Sequence, residues 1–91
     1  MTLRPICDIA TDIIRDMQAS QTAARPARAR YYAAWPYLQA MRCLRTTDDT
    51  FGYESGISIV LYGLSNLPAY RGEKAKALKA ELKSHTVRKG A

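Results

Sequence analysis

Ninety-one residues with a formal net charge of +6 and 47% hydrophobic side chains describe one small basic domain, with too few apolar groups for a second core and too many for a wholly disordered chain. No apolar run approaches the length of about 20 residues that crosses a bilayer; the longest, Ile57 to Leu64, is broken by Ser58 and Gly63. Asp8, Asp12 and Arg15 interrupt any secretory apolar segment near the N-terminus, so a soluble, cytoplasmic protein is expected.

The periodicity predicts a first helix from about Leu3 to Ala19. Ile6, Ile9, Ala10, Ile13 and Met17 recur at helical spacing on one stripe. Asp8, Asp12 and Asp16 share the opposite side, which reads as a solvated face, with a contact face for a basic partner as the alternative, and Arg15 stands beside Asp12. Thr2 is placed to cap this helix, and Pro5 is tolerable because it falls in the first turn.

Residues 20–34 lose that periodicity. Ala24-Arg25-Pro26-Ala27-Arg28-Ala29-Arg30 reads as a flexible, Ala/Arg-rich loop that runs into Tyr31 and Tyr32. Pro36 disfavours the α region for Trp35, so a second helix is expected to begin at Pro36 and run to about Arg45. Tyr37, Leu38, Met41 and Leu44 would then face inward.

Thr46 to Tyr53 reads as a polar connection. The apolar run from Ile57 to Leu67 is ambiguous, because Ile, Val and Tyr favour a strand. Strand alternation would set Ser58 on one face with Val60 and Leu64, whereas a helix groups Ile57, Val60, Leu61, Leu64 and Leu67 on one stripe. A helix over about 55–66 is therefore expected, although Gly56 and Gly63 each cost about 1 kcal/mol relative to Ala. Gly63 offers close approach to another helix, and Asn66-Leu67-Pro68 ends the element.

A last helix is expected over about 71–84, with Ala75, Leu78 and Leu82 as its narrow apolar stripe. Lys76, Lys79 and Lys83 lie together on its outward side, and residues 85–91 read as a loose basic tail. The expected fold is all-α, a compact four-helix single domain over residues 1–91.

Groups that carry catalysis are sparse. His85 is the single imidazole, placed beside a frayed helix end among cations, and reads as an exposed side chain without a task. Asp48 and Asp49 fall short of a calcium-loop pattern and read as turn caps. Cys7 and Cys43 with one His cannot complete a zinc site. Two buried reduced thiols are the preferred reading, with a disulfide between the first two helices as the alternative. No phosphate-cradling glycine loop or nucleophile elbow is present. A non-enzymatic protein without cofactor or metal is expected.

The segregation of charge is more informative. Arg25, Arg28, Arg30, Arg42 and Arg45 fall within residues 25–45 with no acid. Arg71, Lys74, Lys76, Lys79, Lys83, Arg88 and Lys89 fall within residues 71–91 against only Glu73 and Glu81. Such surfaces attract phosphate backbones or acidic protein faces.

Three groupings follow. Lys76, Lys79 and Lys83, extended by Arg88 and Lys89, suit successive anions, though lysine-rich helix faces also serve solubility alone. Arg25, Arg28 and Arg30 followed by Tyr31, Tyr32 and Trp35 suit single-stranded nucleic acid or a protein interface, with a core role for Trp35 as the plainer alternative. Tyr62, Tyr70 and Arg71 would border a groove or close the end of the bundle. The residues expected to meet a partner are thus Arg25, Arg28, Arg30, Tyr31, Tyr32, Arg71, Lys76, Lys79, Lys83, Arg88 and Lys89.

Three segments carry a resemblance: Trp35-Pro36-Tyr37-Leu38-Gln39-Ala40-Met41, Ser58-Ile59-Val60-Leu61-Tyr62-Gly63-Leu64-Ser65-Asn66, and Arg71-Gly72-Glu73-Lys74-Ala75-Lys76 continuing through Lys79-Ala80-Glu81-Leu82-Lys83. Together they resemble small accessory proteins of plasmids, phages and integrative elements, over about residues 35–83. The resemblance implies an anti-defence role of the anti-CRISPR type, in which a small protein occludes a host nucleoprotein complex. Because this chain is basic, its target would be an acidic protein surface or the guide RNA. A small module binding RNA or DNA backbone is the alternative, and a homodimer formed through exposed aromatics is a third reading.

Overall fold

The computed structural model describes residues 3–19, 31–68 and 70–86. Among them are four helices: α1 (Ile6–Ala19), α2 (Trp35–Met41), α3 (Gly56–Ser65) and α4 (Glu73–Ser84). One antiparallel hairpin, β1 (Thr50–Phe51) and β2 (Glu54–Ser55), precedes α3 and pairs Thr50 with Ser55 and Phe51 with Glu54. The fold is largely all-α, as expected. Arg25, Arg28, Arg30, Arg88 and Lys89 lie outside the described residues, as does Thr2.

The α1 stripe is buried as the spacing requires: Ile6, Ile9, Ala10, Ile13 and Met17 all lie in the core, joined by Ile14. The helix starts at Ile6, later than the sequence suggests. The Pro5 carbonyl accepts from the amides of Asp8 and Ile9, while the first-turn amides of Ile6 and Cys7 donate to the carbonyls of Arg45 and Leu44 at 3.0 and 2.8 Å. Donors that a helix N-terminus leaves without internal partners are thus satisfied by a distant stretch of chain.

The same contact explains why α2 stops at Met41 and not at Arg45. Cys43 and Leu44 bond back three residues, to Ala40 and Met41, and this tightened turn leaves the next carbonyls free to reach α1. At the other end α2 starts at Trp35, one residue before Pro36, because a turn over residues 31–34 leads into it, with the Ala34 and Trp35 amides both donating to the Tyr31 carbonyl. Within this turn Tyr31 and Ala34 are buried, while Tyr32 and Ala33 are exposed.

Helix α3 is rotated from its expected setting. Ile59, Val60, Gly63 and Leu67 are buried, Ile57 and Leu64 are half-buried, and Leu61 is 48% exposed. The glycines decide this. A methyl group on Gly63 would run into the Met41 methyl and the Tyr37 Cβ, and one on Gly56 would stand 2.7–3.0 Å from the carbonyl oxygens of Thr46, Thr47 and Asp49. Both glycines mark the face where α3 meets its neighbours most closely. Ser55 caps the helix by accepting from the Ser58 amide.

Ala75, Leu78 and Leu82 bury the α4 stripe as expected. The main neighbours are α1 with α2, α2 with α3, α3 with α4, and α4 with α1. The four helices therefore form a ring around one core, with α2 diagonal to α4.

Candidate anion-binding cleft

The junction of α3 and α4 places the cationic residues. Tyr70 comes first, buried at 3% exposure with its ring edge-on to Tyr31, the centroids 6.1 Å apart. Its hydroxyl donates to Asp16 on α1 at 2.6 Å. Burial and the neighbouring carboxylate push the phenol well above its ordinary range. Arg71 follows at the surface, its Nε donating to the Pro68 carbonyl. Gly72, at φ 120°, then turns the chain into α4 through a conformation that side chains rarely adopt.

That turn opens a cleft of about 570 Å³ between α3 and α4. Its α4 wall carries Lys76, Lys79, Ala80 and Lys83; Tyr70, Arg71 and Gly72 close one end, and Leu64 supplies the α3 wall. Among the described residues four cations and no carboxylate line it. Arg71, Lys76, Lys79 and Lys83, singled out in the sequence, are brought together here.

Lys79 departs from its expected outward place. It is half-buried, its Nζ donating to the Leu67 carbonyl at 2.9 Å and lying 5.8 Å from the centre of the Tyr70 ring. A cation at the carbonyl end of α3 satisfies a group the helix leaves open and complements the helix dipole. Lys76 and Lys83 remain exposed.

Tyr31 is also corrected: at 8% exposure it is a core residue that supports Tyr70, whereas Tyr32 is 76% exposed. Tyr62 does not join the cleft. It lies against Tyr37 of α2, with centroids 5.9 Å apart, while Tyr70 faces the opposite way toward α1. Trp35 is half-buried against the core and borders a smaller recess of about 230 Å³ with Arg15, Gln39 and Arg42. That recess shares no residue with the cleft.

The acidic row on α1 is only in part a solvated face: Asp8 is exposed as expected, whereas Asp12 and Asp16 are half-buried and engaged. Arg4 bridges Asp12 at 2.7 Å and Glu81 of α4 at 2.7 and 2.8 Å, and Asp16 receives Tyr70. The guanidinium holds the Glu81 carboxyl below the usual carboxylate range. His85 is half-buried with its Nε2 2.7 Å from the Arg4 carbonyl, so it packs α4 against the chain start. Asp49 caps its turn as expected, accepting from the Arg45 and Thr46 amides, which keep its carboxyl below the ordinary value. Cys7 and Cys43 are unpaired, and neither is buried as expected: Cys7 is half-buried and Cys43 exposed.

Among the described residues no helix is long and apolar enough to cross a membrane, and no three His, Cys, Asp or Glu side chains gather as metal ligands. No family model, curated protein or solved structure matches the chain.

Leu64 and Ala80 were missed as site residues. The sequence marks Leu64 only as one more member of an apolar stripe, and Ala80 carries no signal beyond lying one turn from both Lys76 and Lys83.

Proposed function

We propose that this chain is a non-enzymatic cytoplasmic interaction protein of a mobile element, an inhibitor of the anti-CRISPR type that docks on a host nucleic-acid-processing complex through its basic surface. The observation that carries the reading is the gathering of Arg71, Lys76, Lys79 and Lys83 in one cleft without a carboxylate among them. Cations gathered around a concave site with no carboxylate to neutralise them attract and orient an anionic partner. The resemblance of the three segments quoted above supports the choice of partner.

Charge reversal tests it. Lys76→Glu with Lys83→Glu alters two exposed side chains, so the fold is expected to persist. The double variant should fail to co-elute with, or impair, host nucleoprotein complexes that the unaltered protein captures. If the unaltered protein neither co-elutes with nor impairs any of them, the proposal is wrong.

A nucleic-acid-binding module is the second reading, favoured by Tyr32, whose exposed ring follows the arginines of residues 25–30 in sequence. It requires binding to single strands that weakens with salt by a log–log slope of about −0.7 for each phosphate neutralised.

A further inference from the structure

We infer that the α3–α4 cleft receives an acidic polypeptide segment bearing aliphatic anchors, not a nucleic-acid backbone. The inference rests on the reading that this cleft is where the partner binds.

Charge alone does not separate the two ligands; the rest of the lining does. The wall facing the lysines is aliphatic: Leu64 of α3 lines it, with Ala80 between the lysines on α4 itself, and Leu61, one turn before Leu64 on α3 and just outside the lining, is 48% exposed. An aliphatic strip beside a row of cations has nothing to bury against ribose and phosphate, but it matches a peptide with leucines next to its carboxylates.

Single-stranded nucleic acid needs an aromatic face on which a base can stack. Among the described residues the cleft offers none. The one ring among them, Tyr70, is 3% exposed, with Tyr31 against it and the Lys79 ammonium near the ring. With Lys79 engaged by the Leu67 carbonyl, the cations left for a ligand are Arg71, Lys76 and Lys83. Lys76 and Lys83 stand two turns apart along α4, about 10.5 Å of rise. Carboxylates two turns apart on a partner helix reproduce that interval, with leucines on the neighbouring edge reaching Leu61 and Leu64.

Fluorescence anisotropy on the full chain distinguishes these ligands. The probes are a short helical peptide with glutamates two turns apart and leucines beside them, the same peptide with every leucine replaced by serine, and oligo(dT) of similar length. The leucine peptide should bind about tenfold or more tighter than its serine counterpart. Leu61→Ser should abolish most of that preference, while Lys83→Glu weakens both peptides. Equal affinity for the two peptides overturns the inference without recourse to any variant. So does tighter binding of oligo(dT) with a log–log salt slope of about −2, the value for three neutralised phosphates. In either case, sensitivity to Lys83→Glu keeps the cleft as an anion site and preserves the wider proposal. If none of the three probes binds at low salt, both readings fall.

Discussion

Tyr70 and Lys79 show how one residue can serve the fold and shape the site together. The Tyr70 hydroxyl is tied to Asp16 on α1 while the residue helps to close one end of the cleft. Tyr70→Phe removes a hydrogen bond to a carboxylate and should lower stability by roughly 1–3 kcal/mol at neutral pH. Because the folded phenol titrates above its unfolded value, its contribution is complete below pH about 10 and is lost as pH rises beyond that. The stability gap between the two proteins should therefore narrow above that pH, which denaturant titrations in alkaline buffer will measure; a constant gap would remove the role assigned to the hydroxyl. Glu81 works in the opposite sense. Its carboxyl is held low by Arg4, so its contribution is present above the unfolded carboxylate range and disappears as pH falls through the folded value. The pair is more than one-third exposed, and Glu81→Gln should cost less than about 1 kcal/mol at pH 7. Lys79→Met should destabilise by about 1 kcal/mol, since the Leu67 carbonyl loses its partner, whereas Lys76→Met should stay within about 0.5 kcal/mol.

Among the elements, α3 was the least legible and is the most instructive. Counting apolar side chains predicts a stripe through Ile57, Val60, Leu61, Leu64 and Leu67; Val60 and Leu67 are buried, yet the helix turns its two glycines inward and leaves Leu61 at the surface. Hydropathy assigns glycine no driving force, but the missing Cβ is what lets two backbones approach. The two sites should respond differently to alanine. At Gly56 the added methyl meets backbone carbonyls that are fixed by the turn over residues 46–49, and the substitution should cost about 1–3 kcal/mol. At Gly63 the obstacle is chiefly the end of the flexible Met41 side chain, so the gain of about 1 kcal/mol in helix propensity should largely offset the crowding. Thermal melts that reverse this order would contradict the packing. By contrast, the stripes of α1 and α4 were read correctly, because neither helix contains a glycine that competes for the packed side. The hairpin of β1 and β2 went unrecognised because each strand has two residues, too short for an alternating pattern.

The ring order of the helices sets how the charge is distributed over the molecule. Since α2 lies diagonal to α4, Arg42 in the Trp35 recess and Lys83 in the cleft share no lining. Arg42→Glu should accordingly change affinity at the cleft by less than about threefold, while Lys83→Glu costs about tenfold or more. Comparable losses would mean one continuous surface. Two of the three acids on α1, Asp12 and Asp16, are engaged internally by Arg4 and Tyr70, which leaves Asp8 exposed.

Helical periodicity and the positions of proline were enough to establish four helices and most of the core, and the run of lysines marked α4 as a cationic element. These are local properties, set by side-chain spacing along one element. The depth of the cleft, the inward turn of Lys79, the burial of Tyr31 and the exposure of Leu61 depend on how α3 is rotated and on what lies across from it. Contacts between residues far apart in the chain decide those features: Tyr70 with Asp16, Arg4 with Glu81, and the α1 amides with the carbonyls of Leu44 and Arg45. Such pairings leave no period in the sequence, so only the packed helices disclose them.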